Sequence, residues 1–454
     1  MSATTDRLNL DRVIKAYDIR GTVPDQVDED LARAVGNAFA AVTAAPAVVV
    51  GHDMRPSSPA LAAAFAEGAA TAGADVTMIG LAATDQLYFA SGHLRMPGAM
   101  FTASHNPAQY NGIKLCHALA APMGRETGLA DIHAHVAAGR TTGADRPGTL
   151  AQTDVLADYA SHLLSLAPVT GRRLTVVVDA GNGMAGHTAP EVLGRLDLAV
   201  TPLYFELDGS FPNHEANPIE PENLHDLQAA VLEQGADLGL AFDGDADRCF
   251  VVDERGQAVS PSVLTALIAV RELAKEPGAT VIHNLITSRA VPEIVTEHGG
   301  APVRTRVGHS YIKATMGETG AIFGGEHSGH FYFRDFWRAD SGMLAALHTM
   351  AALAETDRPL SALLAEYSRY VASGEINSTV QDQDAVLDGL EQEYAGEPGV
   401  EVDHLDGLTV THADWWFNVR ASNPEPLLRL NAEGRDEAMM CGVRDHVLSR
   451  IRSR

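Results

Sequence analysis

LTVVVDAGNGMAGHTAPEVLGRLDLAVTPLYF, residues 174–205, joins a β-branched run to a glycine-rich turn, a helical stretch and a second apolar run. Near-continuous hydrophobic runs flanking a helical stretch are the pattern of buried strands in mostly parallel α/β layers. The same order occurs twice more. AVVVGHD (47–53) leads through Ser57, Ser58 and Pro59 into the alanine-rich stretch 60–72 and then ADVTMIG (74–80). ATVIHNLITS (279–288) leads through 289–298 to APVRTRVG (301–308). Three strand, helix, strand units predict three tandem, similar mixed α/β domains. After about residue 370 the texture changes to EINSTVQDQDAVLDGLEQEY, GLTVTHADWWFNVRASNPEPLLRLNAEG and DEAMMCGVRDHVLSRI, which predicts a smaller C-terminal α+β domain. The expected domains are 1–150, 151–255, 256–370 and 371–454.

The bulk composition sets outer limits. A chain of 454 residues exceeds one core, and 46% hydrophobic with 20% charged residues is ordinary for a globular protein. Lysine plus arginine number 33 against 59 aspartate plus glutamate, a net charge of −26, and no basic run of five occurs. Nucleic acid is therefore excluded as a partner, and an anionic substrate needs a local basic cluster to overcome the long-range field. Cys116, Cys249 and Cys441 lack CxxC spacing, which argues against a disulfide framework or zinc site and fits a reducing cytoplasm. The N-terminus has no apolar signal region and no stretch of 18 apolar residues follows, so neither secretion nor a membrane is expected.

Four clusters carry candidate chemistry. Asp243-Gly-Asp245-Ala-Asp247-Arg248 lies between two apolar runs, and three alternate carboxylates in a turn can converge on a hard cation. An EF-hand is a rival reading, but Arg248 stands where that loop needs glycine; a solvated acidic turn is the other. Thr102-Ala-Ser104-His105-Asn106-Pro107 ends the run PGAMF, placing a serine hydroxyl at the carboxyl edge of a sheet, unless Ser104 only caps a turn. GHSYIK (308–313) and Gly324-Gly-Glu326-His327-Ser328-Gly329-His330 combine hydroxyl-gripping types, proton-exchanging histidines and permissive glycines, a plausible sugar site. Asn418-Val-Arg420-Ala-Ser422-Asn423-Pro424 makes either an oxyanion cradle or a surface turn. Gly181-Asn-Gly183-Met-Ala-Gly186, with Glu206 beyond it, also fits a dinucleotide fingerprint and hence an NAD-dependent oxidoreductase, although glycines at such a turn equally serve close packing.

With these clusters in this order, the chain resembles the α-D-phosphohexomutase superfamily over essentially its full length, and within it the bacterial phosphomannomutase/phosphoglucomutase group. Tyr17-Asp-Ile-Arg20-Gly, the Ser104 motif, Asn111-Gly-Ile-Lys114, the 243–248 loop, the 325–330 loop and Arg420-Ala-Ser422-Asn423 carry the resemblance. It implies four domains around a central cleft and interconversion of hexose 1-phosphate and 6-phosphate. Ser104 is then the phosphoserine, and Mg²⁺ is held by Asp243, Asp245, Asp247 and the seryl phosphate. Arg248, Lys114 and Arg20 steady phosphoryl charge; His105, His309 and His330 belong to the reaction centre. Tyr17, Gly308, Glu326 and Ser328 join His309 and His330 around the sugar, and Arg420, Ser422 and Asn423 clamp the non-reacting phosphate. A hexose 1,6-bisphosphate is the implied activator, phosphorylated hexoses are the partners, and the protein is expected as monomer or dimer. Two departures affect sugar preference and phosphate binding: His327 replaces the Met frequent in this group, and Pro424 stands where Thr or Gly is common. Phosphoglucosamine mutase is the alternative, although Thr102 leans towards mannose and glucose enzymes. If the 181–186 glycines only pack, calorimetry with NAD or NADP shows no saturable heat at micromolar cofactor; a saturable isotherm there restores the oxidoreductase reading.

Overall fold

A computed structural model describes residues 10–15, 17–422 and 427–453. Each repeat read from the sequence is a strand, helix and strand: Ala47–His52, Ser58–Thr71 and Asp75–Leu81; Leu174–Asp179, Ala185–Leu193 and Leu198–Leu203; Thr280–Asn284, Ala290–Glu297 and Ala301–Thr305. In every copy the two strands pair in parallel, and the leading strand pairs on its other side with a third parallel one, Gly98–Phe101, Leu238–Phe242 or Phe323–Gly325. That third strand folds back on an antiparallel fourth, Tyr110–Cys116, Cys249–Asp253 or Phe331–Phe333. The connections between third and fourth strands, 102–109, 243–248 and 326–330, therefore occupy one topological position in three domains. The fourth sheet is wholly antiparallel, in the order Val371–Thr379, Leu427–Gly434, Trp415–Ser422, Leu408–Thr411, Glu401–Asp403. Helices Gln383–Tyr394 and Glu437–Arg452 close its apolar face through Leu390, Val447 and Ile451. Strand Leu150–Gln152 pairs with Asp75–Leu81 and Ala258–Val259 with Cys249–Asp253, so the first two sheets run a few residues beyond 150 and 255. Among the described residues no helix is long and apolar enough to cross a membrane.

The first three domains share one hydrophobic cluster, in which Met100, Val178, Leu240, Phe323 and Leu347 are all buried. A polar knot adds direction to this joint: Asp85 accepts hydrogen bonds from Tyr159 Oη at 2.7 Å and Ser341 Oγ at 2.6 Å, so one carboxyl links three domains. Burial pushes its pKa up to about 7 despite those two donors. The 181–186 glycines serve packing. A Cβ on Gly183 would stand 2.7 Å from the Gly244 carbonyl, and one on Gly186 would overlap the Phe205 carbonyl.

The first domain depends on an unusually close helix pair. Glu29–Thr43 and Ser58–Thr71 touch through Gly36 and Gly68, where an added Cβ would overlap the carbonyls of Phe65 and Arg33 respectively. Helix propensity alone favours alanine over glycine by about 1 kcal/mol, but backbone overlap forces the helices apart and outweighs it. Gly36→Ala is expected to destabilise by about 1 to 3 kcal/mol, seen as a lower urea midpoint. A stabilised variant contradicts this packing account.

Candidate active site

The first of the three equivalent turns carries Ser104, which holds φ 50°, in the left-handed region disfavoured by a β-carbon. Its N–H donates to Thr102 Oγ1 at 2.9 Å, and its hydroxyl donates to Asp243 Oδ2 at 2.8 Å. Such a backbone persists only where surroundings over-determine it. Here the clamp is Arg55, which is 1% exposed. Its guanidinium donates to the carbonyls of Ser104, Asn106, Pro107 and Tyr110 at 2.6 to 2.9 Å, with Asp53 as counter-ion at 3.2 Å. Sequence reading missed Arg55; its one signal was an arginine three residues beyond the end of a buried strand.

The second turn brings three buried carboxylates within reach of one ion, with one oxygen from each of Asp243, Asp245 and Asp247 inside 4.8 Å of the others. Lys114 Nζ bridges Asp245 Oδ2 at 2.7 Å and Asp247 Oδ2 at 2.6 Å, while Thr84 Oγ1 donates to Asp245 at 2.6 Å. Arg248 binds Asp243 through Nε at 2.9 Å and its own backbone N–H at 3.1 Å. Burial opposes ionisation throughout. It lifts Asp243 to about 7 even with Arg248 beside it, whereas at Asp245 the Lys114 charge outweighs burial and holds the pKa below the usual carboxylate range. Asp245 Oδ1 and Asp247 Oδ1 are buried without a hydrogen-bond partner. Uncommitted buried carboxylate oxygens beside a serine hydroxyl fit a hard divalent cation, which takes oxygen ligands.

His105 joins the serine turn to the carboxylate turn. Its Nδ1 accepts from Arg248 Nη2 at 2.7 Å and lies 3.2 Å from Ser104 Oγ. Burial first, then Arg248 and Arg20, lower its pKa to about 3, so the ring is neutral and orients its neighbours. Arg20 donates to Asn106 Oδ1 at 2.6 Å and pairs with Asp18 at 2.7 Å.

The third turn closes on the second. Arg248 and His330 form a β-bridge, and Cys249 N–H donates to the Gly329 carbonyl at 3.3 Å. A cleft of about 320 Å³ results, into which Tyr17, Arg20, Ser104, His105, Lys114, Arg248, Ser328 and His330 all project, with Lys313 and Asp340 added to the residues expected from sequence. Lys313 pairs with Asp340 at 2.7 Å over the Tyr88 ring at 4.3 Å. These two lay hidden because buried charge pairs are not visible in spacing. His330 Nδ1 meets Ser328 Oγ at 2.8 Å, and its Nε2 stands 3.8 Å from Asp247 and 3.9 Å from Asp340. Glu326, which the resemblance places at the sugar, is 2% exposed. Its oxygens accept from Tyr332 Oη at 2.6 Å, Gly308 N–H at 3.2 Å and Asn284 Nδ2 at 3.3 Å.

Arg420 and Ser422 end strand Trp415–Ser422 of the fourth sheet and do not line this cleft. The 326–330 turn connects the two regions through His327, which is half-buried within electrostatic reach of Glu375 and Arg420 and lines the crevice between third and fourth domains. Asn423, Pro424 and the side chain of His309 lie outside the described residues; His309 opens helix His309–Thr319.

Four family models match in succession, each described as Phosphoglucomutase/phosphomannomutase: alpha/beta/alpha domain I over residues 11–142, domain II over 157–256, domain III over 261–370 and the C-terminal domain over 375–449. The chain belongs to the phosphoglucomutase/phosphomannomutase family. Among its relatives, a protein named phosphohexose mutases from Xanthomonas campestris is 42% identical over 442 residues, covering 96% of this chain and 98% of that one. A phosphomannomutase from Escherichia coli is 40% identical over 451 residues, covering 96% and 98%. The crystal structure of a phosphoglucomutase/phosphomannomutase family protein from Burkholderia thailandensis is similar with a TM-score of 0.89 at 34% identity, covering 97% of each chain. In this family member the serine and carboxylate turns meet through Gly244, whose missing Cβ leaves room for the Ser104 carbonyl. Gly244→Ala is therefore expected to keep the fold and displace Ser104. A shift of about 1 Å at a reacting group costs on the order of 100-fold in rate. Unchanged turnover in a folded variant removes this contact from the account.

Proposed function

We propose that the protein is a phosphohexomutase that interconverts hexose 1-phosphate and hexose 6-phosphate, with mannose and glucose as its sugars. Ser104 is the phosphoryl carrier and a hexose 1,6-bisphosphate the intermediate and activator. The observation that carries this reading is the Ser104 hydroxyl 2.8 Å from Asp243, beside two buried carboxylate oxygens without partners. A phosphoryl group on that hydroxyl adds about −1.5 to −2 charge against three carboxylates. Lys114 and Arg248 supply two positive charges, which is too few. Asp243, Asp245, Asp247 and the seryl phosphate would hold a divalent cation, Mg²⁺ in our reading, which would offset most of the remainder and draw electrons from the transferring group.

The chain's own residues then position and neutralise, which is most of what phosphoryl transfer needs. Arg20, Lys114 and Arg248 surround the transferring group. Glu326 and Ser328 grip the sugar hydroxyls, and Tyr17 and Gly308 complete the wall. In the forward step the Ser104 Oγ–P bond breaks and a sugar O–P bond forms. The proton of the attacking hydroxyl passes to His330 Nε2, which stands 3.8 Å from Asp247 and 3.9 Å from Asp340. The bisphosphate turns over, and its other phosphoryl group returns to Ser104 by the reverse exchange. Arg420, Ser422 and Asn423 hold the phosphate that is not reacting.

That half-turn exchanges the 3- and 4-hydroxyls but moves C2 to the opposite side of the ring, so a tight C2 contact suits only one orientation. Glucose and mannose 1-phosphates are expected to differ by no more than about one to two orders of magnitude in kcat/KM. His327, the departure that made an amino sugar conceivable, follows Glu326 directly and lines the crevice between third and fourth domains. Steady-state kinetics on mannose, glucose and glucosamine 1-phosphates with 1,6-bisphosphate tests the reading. A hundredfold preference for glucosamine moves the assignment to phosphoglucosamine mutase.

Ser104→Ala removes the carrier and is expected to lose turnover by several orders of magnitude with the fold intact. Intact mass of wild type after incubation with the bisphosphate gains one phosphoryl group, absent from the variant. Near-normal activity in Ser104→Ala refutes the mechanism.

A further inference from the structure

Helix His309–Thr319 sends Lys313 into the cleft, while Tyr311, on its first turn, packs against Tyr17 of the first domain. The two rings meet edge to face, with centroids 6.5 Å apart and planes at 75°. That geometry is attractive for an aromatic pair. The side chains are also hydrogen-bonded, which lifts the Tyr311 pKa above its ordinary value. Tyr17 lines the cleft and Tyr311 does not. Among the described residues neither ring belongs to the hydrophobic cluster that joins the first three domains, so this is a separate contact between first and third. Arg306 covers the Tyr311 ring, its guanidinium carbon 4.9 Å from the centroid, and its Nη2 lies 4.0 Å from Asp406 Oδ1. Asp406 sits between strands Glu401–Asp403 and Leu408–Thr411 of the fourth sheet. Its Oδ2 accepts from Val307 N–H at 3.2 Å, and its carbonyl accepts from Asn418 Nδ2 at 3.0 Å. A line of contacts therefore runs from Tyr17 in the first domain, through Tyr311 and Arg306 in the third, to Asp406 in the fourth.

We propose that Tyr311 is a positioning residue for Tyr17, and that Tyr311, Arg306 and Asp406 form a clasp that keeps the bisphosphate in the cleft while it turns over. The inference rests on the mutase reading, which demands two opposed properties of one cleft. The half-turn needs loosened walls, yet the intermediate must not leave before its second phosphoryl group reaches Ser104. A packed hydrophobic core cannot meet both demands, because its side chains interlock at close packing. The clasp meets them. An edge-to-face pair, a cation–π contact and a 4.0 Å ion pair in which Arg306 is half exposed are each weak in water, so they part and re-form with the fold intact. Tyr311 is shared by Tyr17 and Arg306, so its loss opens both joints together. It does not line the cleft, and the transfer steps on bound sugar do not depend on it.

Tyr311→Leu is the test, with glucose 1-phosphate as substrate and glucose 1,6-bisphosphate as activator. A bisphosphate that escapes carries away the phosphoryl group given up by Ser104, so the unphosphorylated enzyme must be recharged from solution. The expected result is a rise of about tenfold in the bisphosphate concentration that gives half-maximal rate, with kcat at saturating bisphosphate within about threefold of wild type. A loss of stability alone lowers the active fraction and leaves that concentration unchanged. Tyr311→Phe, which keeps both ring contacts and loses the hydroxyl, is expected to recover most of the loss; a phenylalanine variant no better than leucine overturns the shared ring as the centre of the clasp. Arg306→Met, at a half-exposed position, is expected to raise the same concentration by a smaller factor and decides the matter if the leucine variant does not fold. An unchanged activator requirement in the folded variants overturns this inference and leaves the mutase reading standing. A fall in kcat at saturating bisphosphate with the requirement unchanged overturns it as well. Wild-type protein that turns over no hexose phosphate overturns the mutase reading and this inference with it, a separate result.

Discussion

Charge compensation at one turn organises this molecule. Asp243, Asp245 and Asp247 are at most 1% exposed, and three carboxylates so placed cannot coexist unaided. Their partners come from elsewhere in the chain: Lys114 and Thr84 from the first domain, and Arg248 from the end of the turn itself. Breaking a buried pair by removing one partner leaves an uncompensated charge, which costs far more than the pair contributes. The first and second domains are therefore locked in one relative placement at the very point where Ser104 meets Asp243. The same demand makes the site receptive to a cation, since among the described residues Asp245 Oδ1 and Asp247 Oδ1 have no hydrogen-bond partner.

The shape of the cleft follows from repetition. In each of the first three domains a parallel strand ends, turns, and returns antiparallel, and the three turns carry Ser104, the three aspartates and Glu326–His330. Packing of the domains through one hydrophobic cluster brings equivalent ends together, so residues more than 200 positions apart line one wall. Close approach is secured by absent side chains: Gly244 against the Ser104 carbonyl, Gly329 against the Phe250 ring and Gly342 against the Arg248 carbonyl. The glycine-rich turn at 181–186 belongs to the same scheme, since Gly183 backs onto Gly244. A fingerprint that suggests dinucleotide binding on paper is, in the fold, the floor under the carboxylate loop.

Electrostatics reconcile an acidic protein with an anionic substrate. The long-range field of −26 is unfavourable to phosphate. Within the cleft, however, Arg20, Lys114, Arg248 and Lys313 converge, and on the fourth sheet Arg420 and Arg429 share a single carboxylate. Several of these cations are held by buried acids, so local attraction is obtained without a basic surface.

The sequence by itself determined the class and order of the domains, because period and β-branched runs are local properties that a parallel strand needs wherever it lies. It also exposed Ser104, the three aspartates and Arg420, whose residue types and spacing are unusual enough to be read without coordinates. It could not reveal Arg55, whose task is to hold four carbonyls some 50 residues downstream, nor the Lys313–Asp340 pair, nor Arg429 opposite Arg420. Nor could it reveal that the Glu326 carboxylate accepts from Tyr332 and Gly308. These are decided by tertiary structure, for a physical reason. A buried charge or carbonyl is satisfied by whichever group the packing of separate domains brings within 3 Å, and that distance is a property of the assembled core, with no trace in the spacing of residues along the chain.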